Sequence, residues 1–259
     1  MIILEAGLNH FGNLQEAEKI MKYFLNSEFD YLAFQIQTKD FYKKFEKKIN
    51  LKLPESFYKR AIKLAHTKKK KIGLAVCDID TFKEVSKVKF DFYKLLGIAI
   101  NNYKLIDKLR KTRKQIFISL AKGSNKRISN YIKRFKKKNR LNLVYTSMSH
   151  DPRDLHLKRI TELKKKFNLP TGYGHHYKDL TVFYMSMCFD PSFYLIFIKN
   201  FTKNKKRVFP DDKHAIFTNQ LDNFYNKFRE LNLILQNRKI NTKIKFLYKF
   251  GNIQYSLDR

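Results

Sequence analysis

Apolar residues along this chain fall into two alternating patterns: short, almost unbroken runs, and longer stretches in which they recur every three or four positions. The first pattern predicts buried strands and the second amphipathic helices. Ile2 to Ala6 is the first run, and a helix from about Leu14 to Leu25 follows, with Ala17, Ile20, Met21, Phe24 and Leu25 on one face. Asp30 to Gln35 is the next strand. Pro54, placed at a first helical position, opens a helix carrying Phe57, Ala61, Ile62 and Leu64. Strands then follow at Ile72 to Cys77, Phe92 to Leu96, Gln115 to Leu120, Leu141 to Thr146, Thr171 to Gly174 and Tyr194 to Lys199. Helical spacing separates them at about Thr81 to Lys87, Asn102 to Lys111, Asn125 to Lys137, Pro152 to Phe167 and Leu180 to Cys188, and a last helix covers Asn219 to Leu235.

Eight strands alternating with helices, each strand apolar on both faces, predict a parallel sheet covered on both sides. The expected fold class is α/β, a single-domain (β/α)8 TIM barrel, with an open doubly wound sheet as the alternative. A chain of 259 residues suits one such barrel and leaves no room for a second domain. The expected organisation is a barrel over 1–239 and a small strand-rich or packed tail over 240–259.

Composition adds a constraint on partners. With 55 Lys and Arg against 23 Asp and Glu, the formal charge is +32, which draws phosphate-bearing partners. A Lys-, Asn- and Ile-rich composition of the kind an AT-rich genome produces accounts for the same charge. A polyanion or membrane surface and dedicated nucleic-acid recognition are the alternatives, but no nucleic-acid-reading motif accompanies the charge. Two cysteines, Cys77 and Cys188, are too few for a disulfide framework and fit a reducing compartment. No run reaches the ~20 apolar residues of a membrane span, and the N-terminus lacks a signal-peptide pattern, so a cytoplasmic location is expected.

In a (β/α)8 barrel, chemistry sits at the C-terminal ends of the strands. The polar residues there are Glu5, Asn9 and His10; Gln35; Lys94; Ser119 and Lys122; Tyr173, His175 and His176; and Lys199 and Asn200, with His214 on the following loop. Glu5 lies inside an apolar strand, where an unpaired carboxylate costs several kcal/mol. It requires either a ligand or a lysine across the barrel, Lys94 or Lys199. His175 and His176 are adjacent on a strand and therefore point oppositely, so only one of them faces a site. Lys94, Lys122 and Lys199 together favour an anionic substrate. His150, beside Asp151-Pro152, is read as part of a turn.

Taken in order, these strings resemble the sialic acid synthase family. Glu5-Ala6-Gly7-Leu8-Asn9-His10-Phe11-Gly12 is similar to that family's opening E-A-G-x-N-H-x-G, and Phe34-Gln35 to its K-F-Q. Lys94 with Asn101-Asn102-Tyr103-Lys104-Leu105-Ile106 resembles K-I-x-S-G…N-N-Y-P-L-I, and Ser119 stands where S-T-G-M follows the fifth strand. Leu169-Pro170-Thr171-Gly172-Tyr173-Gly174-His175-His176 resembles L-P-x-G-Y-S-D-H. Ile198-Lys199-Asn200-Phe201-Thr202 resembles E-K-H-F-T, and His214-Ala215 the D-H-A beyond it.

The resemblance implies a barrel enzyme that condenses phosphoenolpyruvate with an N-acylated amino sugar. It implies a divalent metal, Mn²⁺ or Mg²⁺, on His176 with Asn200, or with His175 or His214 in its place, and Glu5 and His176 catalytic. Asn9, His10, Gln35, Lys94, Ser119, Lys122, Tyr173, Lys199 and His214 would then bind substrate, and a homodimer is among the assemblies it allows. This sequence departs from the pattern at Ala33, Gly97, Ser147, Gly174, His175, Ile198 and Asn200, the last standing where the family carries a histidine. No antifreeze-like C-terminal domain is expected. Three functions follow: a synthase rebuilt for another acceptor, a barrel that binds a sugar or partner enzyme without turnover, and a polyanion-binding protein.

Overall fold

Successive side chains leave a strand on opposite faces, so in a closed parallel sheet one set fills the barrel and the other meets the helices. The computed structural model describes residues 1–46, 51–120, 125–135, 138–204, 206–236, 246–250 and 253–257, and over them it has this architecture. Its parallel strands are β1 (Ile2–Gly7), β2 (Tyr31–Gln35), β3 (Lys71–Val76), β4 (Phe92–Leu95), β5 (Gln115–Ser119), β6 (Leu141–Tyr145), β7 (Thr171–Gly174) and β8 (Tyr194–Lys199). They pair in chain order, and β8 returns to β1 from Ile2↔Tyr194 to Glu5↔Phe197, closing the cylinder. The protein is a (β/α)8 TIM barrel.

Around it lie α1 (Leu14–Asn26), α2 (Lys39–Glu46), α3 (Glu55–Thr67), α4 (Ile79–Glu84), α5 (Tyr103–Lys111), α6 (Asn125–Ile132), α7 (Arg159–Phe167), α8 (Leu180–Ser186) and α9 (Leu221–Leu235). Side-chain caps fix several of their starts. Asn13 accepts from the Glu16 amide, Asp78 from Thr81, Asn102 from Leu105 and Asp179 from Thr181. Each such cap is worth about 1 kcal/mol. No helix among the described residues is long and apolar enough to cross a membrane.

Several boundaries differ from the sequence expectation for local reasons. Pro54 precedes α3 in an extended conformation, ψ 153°, so it sits at the cap rather than the first helical position. Asp78 starts α4 at Ile79 instead of Thr81. The helix expected from Pro152 to Phe167 is split: Pro152–Asp154 form one 3-10 turn capped by Asp151, the chain leaves helical geometry at Leu155, and α7 begins only at Arg159. α6 ends at Ile132, and Lys136 and Lys137 lie outside the described residues. The helix α2 and a two-residue strand β9 (Ile216–Phe217), paired to Ile198 and Lys199 of β8, were not expected. Beyond α9, β10 (Phe246–Phe250) and β11 (Ile253–Leu257) form a separate antiparallel pair.

Ile3, Ala33, Phe92, Phe117, Val144, Phe193 and Leu195 fill the barrel interior. Phe117 packs edge-on against both Phe92 and Phe193, with centroids 5.5 and 5.0 Å apart. Rings of this size fit because their neighbours lack side chains: a Cβ on Gly73 would overlap the Phe92 ring. The opposite strand faces, including Leu4, Leu32, Phe34 and Ile196, join the larger barrel–helix layer with Phe24, Phe57 and Ile106. Above the apolar plug, the next interior positions on the same faces are Glu5, Gln35, Lys94, Ser119 and Phe197. That parity places the polar residues at the C-terminal mouth.

The fit between Gly73 and Phe92 predicts that Gly73→Ala destabilises the fold by about 1–3 kcal/mol through overpacking. Gly73→Ala with Phe92→Leu should recover most of that loss in chemical denaturation; equal stability of Gly73→Ala and the parent chain would contradict the packing.

Candidate active site

Glu5 on β1 and Lys94 on β4 face each other across the barrel. The Lys94 ammonium donates to both Glu5 oxygens at 2.6 Å, and each side chain is only 4% exposed. Phe197 of β8 borders the pair, its ring centroid 5.4 Å from the Lys94 nitrogen. Burying two charges costs several kcal/mol each, which mutual attraction offsets only at close range and with good geometry. Of the two partners the sequence offered Glu5, the structure therefore takes Lys94. Lys199 is held elsewhere: it donates to the Asp212 carbonyl at 2.9 Å and carboxylate at 2.8 Å and lies over the Phe217 ring. Its charge is matched in the loop after β8.

His176 enters the mouth from the end of β7. Its ring centroid lies 5.0 Å from Phe197 and 4.5 Å from His214. Nδ1 of His176 and both ring nitrogens of His214 are buried without a hydrogen-bond partner. Burial, followed by the neighbouring His214 and Lys94 charges, holds His176 well below the ordinary histidine range. His214 is lowered to about 4 by burial and then by His150. Both imidazoles are therefore neutral near pH 7 and can each accept or donate a proton.

Asp211, which sequence reasoning missed, completes the cluster. Its Oδ1 lies 3.8 Å from His214 Nε2. Burial first, and then the Glu5 carboxylate, raise its pKa to about 7, against an opposing effect of Lys94. Gly7, at φ +52°, makes the room: a Cβ there would come within 2.5 Å of Asp211 Oδ2 and 2.9 Å of the Phe197 ring. A signal was available in the sequence, because Asp211-Asp212 is an acidic pair three residues before His214 in a strongly basic chain.

Other expected site residues turn out to position rather than to face the mouth. Asn9 donates to the Ile198 carbonyl at 2.8 Å and accepts from the Asp211 amide at 3.0 Å, tying β1 to the loop that carries Asp211. His10 is fully buried; its Nδ1 accepts from Gly12, and its ring lies 6.0 Å from Phe34, on the helix-facing side. Tyr173 belongs to the same outer layer, near Tyr145 and Phe183. His175 points there too, its ring edge-on to Phe183, whereas His176 faces inward, as strand alternation required. Gln35 and Ser119 remain at interior positions. Lys122 lies outside the described residues.

Asn200 corrects the metal assignment. Its amide nitrogen donates to the Glu16 carbonyl at 2.9 Å and to Glu16 Oε2 at 2.8 Å, so it clamps β8 to the first turn of α1 on the outside of the barrel. His176 and Asn200 thus do not converge on one ion. Among the described residues no group of three or more His, Cys, Asp or Glu side chains is arranged to hold a metal. The imidazoles that do lie together are those of His176 and His214, with unpartnered ring nitrogens that could serve as ligands.

Comparison with known proteins agrees with this architecture. The model of the NeuB family matches residues 13–240. An N,N'-diacetyllegionaminic acid synthase from Campylobacter jejuni is 22% identical over 258 residues, covering 89% of this chain and 76% of that protein. Among solved structures, an N-acetylneuraminic acid synthetase from Leptospira borgpetersenii superposes with a TM-score of 0.80 at 18% identity, over 93% of this chain and 86% of the other. A Bacillus subtilis spore coat polysaccharide biosynthesis protein gives 0.77 at 16% identity, over 91% and 68%. At these identities the superpositions establish the shared fold.

Two outcomes follow from the geometry. Lys94→Ala, which strands a buried carboxylate, should destabilise by about 3–5 kcal/mol, whereas Glu5→Leu combined with Lys94→Met should restore most of it. Additive losses in that cycle would show that the pair is not coupled. Asp211, protonated in the folded chain up to about pH 7 but ionised above about 4 when unfolded, contributes stability that is present at low pH and lost as pH rises through 7. Asp211→Asn should therefore gain stability relative to the parent between pH 5 and pH 8 in thermal unfolding; a pH-independent difference would contradict the raised pKa.

Proposed function

The chain belongs to the NeuB family, and from that premise we propose that it forms a carbon–carbon bond in carbohydrate biosynthesis, joining phosphoenolpyruvate to the aldehyde carbon of an N-acyl hexosamine-type aldose. One arrangement supports this reading: a buried carboxylate–ammonium pair, two unpartnered neutral imidazoles and a carboxyl group titrating near pH 7 around a single barrel mouth.

The Lys94 ammonium has three protons and turns toward Glu5, so it can retain that contact while donating to the phosphate or carboxylate of phosphoenolpyruvate. Glu5, which only accepts, holds hydroxyl groups of the sugar. C3 of phosphoenolpyruvate then attacks the aldehyde carbon, and the aldehyde oxygen gains negative charge. Asp211, poised near neutrality, supplies a proton to that oxygen. Neutral His176 or His214 takes a proton from the water that adds at C2, after which the C2–O bond breaks and phosphate leaves. Glu5 and Lys94, each 4% exposed, act where water screens them little. No step is assigned to a divalent ion.

Ala33, Ile198 and the outward Asn200 favour a second reading, a barrel that binds a sugar without turning it over. Aldose-dependent release of phosphate from phosphoenolpyruvate, assayed over a panel of N-acyl hexosamines with and without Mn²⁺, separates the two. The expected result is turnover that Lys94→Met reduces by about 10²- to 10³-fold, the range for losing one preorganised charge contact. Saturable sugar binding with no phosphate release from any acceptor would replace the synthase with the binding protein.

A further inference from the structure

A basic cleft lies at the other end of the barrel. The C-terminal turn of α5, the connection into β5 and the segment before β6 enclose a cleft of about 610 Å³, lined by Arg110, Lys111, Arg113, Lys114 and Arg140 over a floor of Ile116 and Phe135. These residues sit at the N-terminal ends of β5 and β6, away from Glu5 and Lys94. Among the described residues no acidic side chain lines the cleft. Among them, Arg110 alone of the five has an acidic neighbour, Asp107 at 3.6 Å, and it also donates to the Arg134 carbonyl at 3.3 Å. Lys111, Arg113, Lys114 and Arg140 make no ion pair among the described residues, and Lys114 and Arg140 are half-buried.

Two ordinary explanations cover only part of this cluster. Cations in the last turn of a helix offset its macrodipole, which accounts for Arg110 and Lys111. Arg113, Lys114 and Arg140 lie beyond the helix, and Arg113 occupies a left-handed turn at φ 59°. A lysine-rich composition scatters lysines, yet the chain holds only 12 arginines and three of them line this one opening. Arginine is the side chain whose planar fork matches phosphate oxygens two at a time. Like charges gathered without counter-charges repel one another, a cost that a bound polyanion removes.

We propose that this cleft binds a phosphate-dense anion, a condensed phosphate chain of the size carried by a nucleoside triphosphate or a short inorganic polyphosphate. The volume suits one such molecule, and the aromatic residue at the floor is buried, at 6% exposure, so it offers no platform for stacking successive bases of a nucleic-acid strand. Recognition therefore rests on charge and on guanidinium geometry. The site is independent of the reaction at the opposite mouth.

Titrating the full chain with inorganic tripolyphosphate and, separately, with adenosine triphosphate at fixed salt tests the proposal. One equivalent should bind, with affinity at least ten-fold weaker in Arg113→Glu/Arg140→Glu and weakened to a smaller degree in Arg113→Gln/Arg140→Gln. A control with the same change in net charge, Lys63→Glu/Lys165→Glu on exposed helix faces, should bind as the parent does. Equal affinity for the two ligands identifies the phosphate chain as what is read, and tighter binding of the nucleotide adds a contact from its base or sugar; both support the site. Equal loss in the control, no binding, or binding of single-stranded RNA that grows with length and ignores the arginine variants would overturn it. In the ligand-free state at low salt, Arg113→Gln/Arg140→Gln should melt at or above the parent temperature, since repulsion is relieved. A lower melting temperature would reassign the arginines to the fold.

Discussion

The charge pair between Glu5 and Lys94 is the constraint on which the rest of the mouth depends. β1 and β4 stand apart in strand order, so a contact between them spans the interior and fixes how the barrel top closes. Two charges at 4% exposure hold together only because each satisfies the other at short range. The same pair sets the electrostatics above it. The Glu5 carboxylate helps keep Asp211 protonated, and the Lys94 ammonium helps keep His176 and His214 neutral. Burial is the larger cause of all three shifts, and this single interaction adds to it.

The loop after β8 is the second determinant. It delivers Asp211 and His214 to the mouth and is anchored at several points: Asn9 to Ile198 and Asp211, Lys199 to Asp212, and the β9 pairing to the end of β8. Asn200, meanwhile, faces the helix layer and holds Glu16. The imidazole chemistry of this site consequently comes from one strand end and one loop, with His214 beside His176.

Much of this was legible in the sequence, and the failures have physical causes. Apolar runs alternating with helical stretches pointed to eight parallel strands, because strands buried on both faces read as nearly unbroken apolar segments; the closed barrel was preferred over an open doubly wound sheet on strand number and length. Glu5 stood out for the same reason, as a charge where the pattern demanded an apolar residue. His175 and His176 were correctly expected to point oppositely, since adjacent strand residues must. Asn9, His10 and Asn200 make contacts that the sequence did not foretell, because position beyond a strand end does not reveal which way a side chain turns; Tyr173, inside β7, follows the outward parity of its strand, and Lys199 meets a loop carboxylate. Asp211 was overlooked because a loop brings it in from a distance that no periodicity encodes. The split of Pro152 to Phe167 likewise turned on one cap at Asp151, too local for a helical pattern to register.

The two ends of the barrel differ in how they handle charge. At the C-terminal mouth, positive charge is matched by carboxylates and enclosed; at the N-terminal end it gathers unmatched around an open cleft. The central claim concerns the mouth, and a crystal structure of the protein with bound phosphoenolpyruvate tests it most directly. The account predicts the phosphate or carboxylate of the ligand on the Lys94 ammonium, inside the chamber bounded by Glu5, Phe197, His176 and His214. Phosphoenolpyruvate seated elsewhere, with the Glu5 and Lys94 side chains untouched by ligand, would contradict it.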